Sequence, residues 1–190
     1  MAEKIMLIDG NSIVNRAFYG VPLLTNGEGC YTNGVYGFLN ILFKLLDEEQ
    51  PDYLAVAFDV SRKVFRHEQY ADYKAQRKGM PEELRGQMDL IKDVLRAMNI
   101  AIYEAEGYEG DDVIGTMVRW AEREDIASII VTGDKDSLQL ISDKTSVYLT
   151  KKGISELGRY DYAAFHEEYN LVPDQVRDLK GLMGDSSDNI

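Results

Sequence analysis

The sequence predicts an α/β protein with a mostly parallel central sheet flanked by helices. Short apolar runs alternate with amphipathic stretches along the chain, the pattern of successive strand–helix units. Three of those runs lead directly into an aspartate: Ile5-Met6-Leu7-Ile8-Asp9, Leu54-Ala55-Val56-Ala57-Phe58-Asp59 and Ile129-Ile130-Val131-Thr132-Gly133-Asp134. Two further acidic clusters, Glu109-Gly110-Asp111-Asp112 and Asp185-Ser186-Ser187-Asp188, follow the same theme. Open parallel sheets bind their ligands outside the carboxyl ends of the strands. Carboxylates gathered there cannot all stay ionised without cations between them, so a metal site is the first functional expectation.

The elements follow in order. A first strand is expected at about residues 4–9, with Asn11 or Ser12 capping a short helix after it. Residues 20–34 form a Gly-rich loop; no helix follows Gly27 and Gly29 in the manner of a P-loop, so they read as a turn rather than a phosphate cradle. Val35, Phe38, Leu39, Leu42, Leu45 and Leu46 mark one face of a helix from about 35 to 48. Pro51 turns the chain into a strand at about 53–58. Pro81 with Glu82 and Glu83 opens a helix to about Asn99 that buries Leu84, Met88, Ile91, Val94, Leu95 and Met98. A strand at 100–104, a helix from near Asp111 to Glu124, a strand at 127–132 and a short helix after Asp136 come next. Residues 145–149 form a strand, 153–160 supply a hairpin partner, and Asp161 and Pro173 open two last helices. No repeat or linker divides the chain, so residues 1–190 are read as one domain.

Composition bounds the chemistry. Hydrophobic content of 45% and charged content of 28% suit a globular protein. The net charge of −12 argues superficially against a nucleic-acid partner, but nine suspected site acids account for all but −3 of it. Cys30 is the sole cysteine, which excludes an intrachain disulfide and fits a reducing cytoplasm. Strand-like sequence begins by Lys4, so no signal peptide is expected, and no apolar run reaches the ~20 residues of a membrane span. With only His67 and His166 present, carboxylates are the main catalytic resource.

The nine acids are Asp9, Asp59, Glu109, Asp111, Asp112, Asp134, Asp136, Asp185 and Asp188. Magnesium and manganese prefer such hard oxygen ligands, and a pair of these ions suits phosphoryl chemistry. Each cluster also has a plain structural use: Asp111, Asp112 and Asp136 as helix caps, Asp185 and Asp188 as turn formers. Between the second strand and Pro81, Arg62, Lys63, Arg66, Lys74, Arg77 and Lys78 are interleaved with Phe65, Tyr70 and Tyr73. That mixture suits a strand held by phosphate contacts and base stacking, the plain alternative being a solvated charged face. With few aliphatics, the segment is expected to bury little and to be mobile without a ligand.

At these residues the sequence resembles the 5′-nuclease family: flap endonucleases and the N-terminal 5′→3′ exonuclease domain of bacterial DNA polymerase I. The matching text is Leu7-Ile8-Asp9-Gly10-Asn11-Ser12 with Arg16-Ala17-Phe18-Tyr19; Ala57-Phe58-Asp59; Phe65-Arg66-His67-Glu68; and Tyr73-Lys74-Ala75-Gln76-Arg77. It continues through Gly107-Tyr108-Glu109-Gly110-Asp111-Asp112-Val113-Ile114-Gly115-Thr116 and Val131-Thr132-Gly133-Asp134-Lys135-Asp136-Ser137-Leu138-Gln139-Leu140 to Gly181-Leu182-Met183-Gly184-Asp185-Ser186-Ser187-Asp188-Asn189-Ile190. The resemblance implies a PIN-like, resolvase-like sheet with a basic helical arch at about 61–80. It places Asp9, Asp59, Glu109, Asp111 and Asp112 around one metal position and Asp134, Asp136, Asp185 and Asp188 around another. The cofactor would be two Mg2+ ions, with Mn2+ as a substitute. Lys74 and Arg77 match residues that approach the scissile phosphate, and Tyr19 a position near the substrate base. Arg16, Arg62, Lys63, Arg66 and Lys78 join them as DNA contacts, although Arg16 serves equally in a structural salt bridge and Tyr19 in packing. The implied partner is DNA with a 5′ end, flap or nick, or an RNA primer, bound by a monomer with no membrane association, near the nucleoid. The family's helix-hairpin-helix, which grips duplex DNA and holds potassium, is expected to lie outside residues 1–190, which would weaken duplex binding.

Two other readings compete. A phosphatase of the haloacid dehalogenase superfamily also ends its first strand in Asp, and Gly184-Asp185-Ser186-Ser187-Asp188 resembles its last acidic loop. That superfamily carries a second acid where this chain has Asn11, and the Glu109–Asp112 cluster would go unexplained. A non-catalytic nucleic-acid-binding module gains nothing from nine clustered negative charges.

Overall fold

The structure is a computed structural model describing residues 3–60, 63–77, 79–152 and 156–190. Arg62 and Lys78 lie outside the described residues. Strand β1 (Lys4–Asp9) is central, paired in parallel with β2 (Tyr53–Ala57) on one side and β4 (Ala127–Thr132) on the other. β3 (Ala101–Tyr103) extends the sheet beyond β2, and β5 (Thr145–Lys152) extends it beyond β4. β6 (Glu156–Tyr160) pairs antiparallel with β5 at the edge, as the hairpin reading anticipated. The strand order is β3-β2-β1-β4-β5-β6.

The apolar run of β1 has residues for two cores because alternate side chains leave opposite faces of a strand. Met6 and Ile8 pack with Phe38, Leu42, Leu84 and Ile91 in one cluster; Ile5 and Leu7 pack with Ile114, Val118, Val147 and Phe165 in the other. All four β1 side chains are buried. Full burial of each such side chain is worth ~1.5–3 kcal/mol as an upper bound, so the strand that carries Asp9 is held firmly from both faces. The first layer consists of α1 (Gly10–Gly20), α2 (Asn33–Glu49) and α4 (Glu82–Ala97). The second is formed by α5 (Gly110–Arg123), the 3-10 helix Lys135–Leu140, α6 (Tyr162–Tyr169) and α7 (Gln175–Met183).

Several local expectations are corrected. The cap of α1 is Asp9, not Asn11 or Ser12: the Ser12 amide donates to Asp9 Oδ1 at 3.0 Å. β1 runs into α1 without a loop, which leaves Asn11 and Ser12 inside the first turn. Met98 is exposed because α4 ends at Ala97 and Met98 serves as its C-cap. Gln87 occupies the buried face instead, its Oε1 accepting from the amide of Gly34 at 2.7 Å. The basic segment buries more than its composition suggests: Val64 and Tyr73 are both in the core. Its described part holds a single four-residue helix, α3 (Arg66–Gln69), followed by turns.

The direct passage from β1 to α1 depends on glycine. A Cβ at Gly10 would stand 2.4 Å from the ring of Phe58, which is itself fully buried. Gly10→Ala is therefore expected to lower stability by ~1–3 kcal/mol, read as a reduced urea midpoint with unchanged m-value; an unchanged midpoint would show that the Phe58 ring can yield.

Candidate metal centre and adjoining cleft

The strand order reverses beside β1: the chain passes first to β2 on one side and later to β4 on the other. The crevice outside the carboxyl ends of β1 and β4 is the ligand position of such sheets. Asp9 closes β1, and Asp134 follows β4 by two residues. Asp59 follows β2 by two residues, and Glu109, Asp111 and Asp112 stand at the start of α5.

Each acid is aimed by hydrogen bonds. Asp9 accepts from the Ser12 amide and, at 2.9 Å through Oδ2, from Thr132 Oγ1. Asp59 Oδ1 accepts from the Gly110 amide at 2.6 Å, and the Asp59 amide donates to Asn11 Oδ1 at 3.2 Å. Asn11 is thus a support for Asp59, in the position where the dehalogenase reading needed an acid. Glu109 and Asp112 form a reciprocal capping box on α5. Asp134 caps the 3-10 helix through the Asp136 amide at 2.9 Å. The structural uses of these acids and their placement at the crevice therefore coexist.

A cleft of about 560 Å³ opens at the crevice, lined by Asp9, Asp59, Glu109, Asp111 and Asp134 together with Lys74, Arg77, Arg16 and Tyr19. Glu109, Asp111 and Asp112 each offer a carboxylate oxygen, all within 4.8 Å of one another, the one such group among the described residues. The donors are hard oxygens throughout, the set that fits magnesium or manganese rather than a thiophilic metal. The second set is not gathered in the same way. Asp136 Oδ1 and Asp185 Oδ2 share the ammonium of Lys180 at 2.8 and 2.6 Å, while Asp188 Oδ1 pairs with Arg77 at 2.8 Å.

The basic segment faces this array. Arg66 grips Asp112 with two 2.7 Å bonds and reaches Glu109 at 3.2 Å. Lys74 Nζ lies 2.5 Å from Glu109 and 3.9 Å from Asp188. Tyr73 donates to Glu109 at 2.8 Å. The segment is also tied to the last residues of the chain: the Lys74 amide donates to Asp188 O at 3.0 Å, Tyr70 Oη to Asn189 O, and Asn189 Nδ2 to Asp72 O. Thus Arg66, Lys74 and Arg77 are engaged by carboxylates. Arg16 donates to Thr150 Oγ1 at 3.1 Å, a neutral partner rather than the acid of a salt bridge. Tyr19 is 72% exposed, edge-on to Phe18, and is not core. Lys63 has interactions of its own and is not a contributor to the cleft lining.

Sequence reasoning missed Thr132, Tyr73 as a Glu109 partner, and Lys180. Lys180 carried a faint signal, a lysine in the last turn of a helix five residues before Asp185. Thr132 carried none beyond ending its strand.

Among the described residues, no lysine or arginine pairs with Asp9, Asp59, Asp111 or Asp134. Burial pushes Asp9 up to about 7, and the charges of Asp59 and Asp111 add to it. Burial, then Asp112 and Glu109, raise Asp111 to about 6. Burial also raises Asp59 against the pull of the Gly110 amide. For Asp112, burial is outweighed by Arg66, which holds it below the usual carboxylate range. Lys180 and then Ser187 hold Asp185 far below it. Carboxyls raised in this way, without a cationic partner and beside a trio of oxygen donors, are what a divalent cation relieves.

The fold and its acid-lined crevice define a class: a parallel α/β domain built to gather carboxylates at a strand switch point. The sequence profile of the family described as "5'-3' exonuclease, N-terminal resolvase-like domain" matches residues 4–170, and the chain belongs to that family. It is 47% identical over 188 residues to a DNA polymerase I of Bacillus subtilis and 50% identical over 190 residues to that of Geobacillus stearothermophilus. These matches cover 99% and 100% of this chain but 21% and 22% of the relatives, so the chain spans about a fifth of their length. Among solved structures, a bacteriophage T5 5′-exonuclease with bound zinc has the same fold at a TM-score of 0.75 and 23% identity, covering 99% of this chain and 69% of that one. A bacteriophage T5 flap endonuclease in a pseudo-enzyme–product complex with DNA and metal ions aligns at 0.76 and 22%, with coverage of 99% and 69%. The family match sets the dehalogenase-type phosphatase aside. Among the described residues, no helix is long and apolar enough to cross a membrane.

The raised carboxyls fix a pH dependence. Between an unfolded value near 3.8 and the folded value of about 7, the folded chain holds the Asp9 proton and the unfolded chain does not. Stability from Asp9 is therefore full below that window and lost as pH rises through it. The depressed Asp112 and Asp185 act only below the usual carboxylate range, outside this window. Without divalent cations the urea midpoint is expected to fall from about pH 5 to pH 8, and added magnesium should flatten the profile by replacing the proton. A midpoint that rises over that interval without cations would contradict a buried, unpaired Asp9.

Proposed function

We propose that residues 1–190 act as the catalytic domain of a divalent-cation-dependent phosphodiesterase, a 5′→3′ exonuclease and 5′-flap endonuclease that hydrolyses DNA near a 5′ end, flap or nick. The observation that carries this reading is one cleft lined both by carboxylates and by Lys74, Arg77, Arg16 and Tyr19. The DNA and metal complex of the T5 relative supports it. The proposed cofactor is a pair of Mg2+ ions, replaceable by Mn2+: Asp9, Asp59, Glu109, Asp111 and Asp112 would hold one, and Asp134, Asp136, Asp185 and Asp188 would hold the other. Bound there, the ions would supply Lewis-acid charge for activating water and stabilising the leaving oxygen.

The chain's own groups do the rest. Glu109 and Asp112 are held by the capping box and by Arg66, and Asp111 stands beside them in the same first turn of α5. Thr132 and Ser12 hold Asp9 by both oxygens. Lys74 and Arg77 lie in reach of a phosphate over the floor and take its developing charge. Tyr19 offers a ring face to a base, and Arg16, Arg62, Lys63, Arg66 and Lys78 add phosphate contacts. No side-chain nucleophile is needed. The role is removal of flaps and primers, including RNA primers, in replication and repair, by a monomer in the cytoplasm near the nucleoid.

The test is cleavage of a labelled 5′-flap DNA by this chain with magnesium and with EDTA. Cutting that stops with EDTA is expected; release of phosphate from small monoesters alone, or DNA retardation without cutting in magnesium, would sink the reading. Asp112→Asn and Asp134→Asn should each reduce cleavage by ~10²-fold or more with an unchanged circular dichroism spectrum. Lys74→Ala should slow single-turnover cleavage in saturating magnesium by ~10²-fold; an unchanged rate would remove Lys74 from the chemistry.

A further inference from the structure

A second cleft, of about 670 Å³, adjoins the first, and the two share Asp111 and Asp134 as a common wall. Its near end is acidic. Its far end is one face of α5, carrying Thr116, Arg119, Trp120 and Arg123 at the spacing that places helical residues side by side. Thr116 Oγ1 donates to Asp112 O at 2.8 Å, so this face continues the turn that carries the carboxylate trio. From Asp112 to Arg123 the helix rises roughly 16 Å at ~1.5 Å per residue, enough to lie along a few nucleotides.

Trp120, Arg119 and Arg123 on this face contribute little to the fold. Trp120, the sole tryptophan, is 51% exposed although the opposite face of α5 supplies Ile114, Val118 and Ala121 to the core. Arg119 makes one exposed pair with Glu122 at 3.4 Å, a contact of little energetic value. Arg123 makes no ion pair among the described residues and lines the cleft. A plain solvated helix face explains arginines; it does not explain a half-exposed indole between them, opening into a cleft that runs to the centre. Aromatic and arginine side chains alternating along a groove form a sequence-tolerant platform for unpaired bases. A duplex hides its base faces and cannot use such a ring.

We propose that this cleft is a track for single-stranded nucleic acid: the unpaired 5′ segment leaves the centre past Asp111 and Asp134 and lies along α5, with a base stacked on Trp120 and phosphates on Arg119 and Arg123. The track deepens the nuclease reading above and rests on it. It also assigns α5 two roles, ligand support at its first turn and strand guidance beyond it.

Because the chain has one tryptophan, its emission reports this position alone. The experiment titrates the protein, in EDTA and at low ionic strength, with nicked duplexes bearing 5′ flaps of increasing length and with none. Flap-bearing DNA is expected to quench the emission and flapless DNA is not. Trp120→Ala should weaken flap binding by ~10-fold while Trp120→Phe retains most of it. Arg119→Ala with Arg123→Ala should reduce the slope of log affinity against log salt by about 1.4, the value for two phosphates of a single strand. Equal quenching by flapless duplex, or equal flap affinity in Trp120→Ala verified as folded, would overturn the track. The nuclease reading is judged separately by wild-type cleavage of the flapless nicked substrate in magnesium. Loss of that cutting counts against the reaction, whereas cutting without Trp120 quenching counts against the track alone.

Discussion

The parting of β1 from its two neighbours at the carboxyl edge of the sheet is the constraint on which this molecule depends. There Asp9, Asp59 and Asp134 meet the first turn of α5, and the mutual repulsion of their carboxylates must be met by something. Part of the answer is local. Asp9 caps α1, Asp134 caps the 3-10 helix, and Glu109 with Asp112 caps α5. Helix N-termini carry partial positive charge and orphan amides, so the same backbone that must begin a helix also steadies an anion. Sheet topology and site acidity are two results of one arrangement.

The rest of the answer comes from far along the chain. Arg66, Lys74, Arg77 and Lys180 cover five of the nine acids, leaving Asp9, Asp59, Asp111 and Asp134 for the cleft. The division is physical: the carboxylates with cationic neighbours include those held most acidic, and two of those without are pushed toward neutrality. Gathering the acids is thus a matter of both the sheet and the segments that lean over it.

Much of this was legible in the sequence. Short continuous apolar runs such as Ile5–Ile8 marked strands buried on both faces, and their terminal aspartates marked the edge of the sheet where the site lies. Helical faces such as Val35–Phe38–Leu42–Leu45 were visible for the same reason. What stayed hidden depends on contacts distant in sequence. That Lys180 joins Asp136 to Asp185, and that Asn189 laces to Asp72, follows from how α7 and the basic segment dock. The cap of α1 was misplaced because a cap is chosen by where the strand stops, and Gly10 beneath the Phe58 ring lets it stop without a loop. Composition also undervalued the basic segment, since Val64 and Tyr73 are buried and Arg66, Tyr70, Asp72 and Lys74 tie it to distant parts of the chain.

The ion pairs across the cleft make this chain its own counterion, and that has a thermodynamic consequence. Lys74 and Arg77 cannot at once neutralise Glu109 and Asp188 and neutralise a phosphate. On the proposed function, a dication arriving on the carboxylates would set those side chains free, and a polyanion arriving above would draw them away from the same carboxylates. Each ligand therefore removes the competitor of the other, so their binding free energies are coupled and the coupling is reciprocal. On that reading the centre would work as an ion exchanger in which internal cations are traded for external ones only when an external anion takes the cations released.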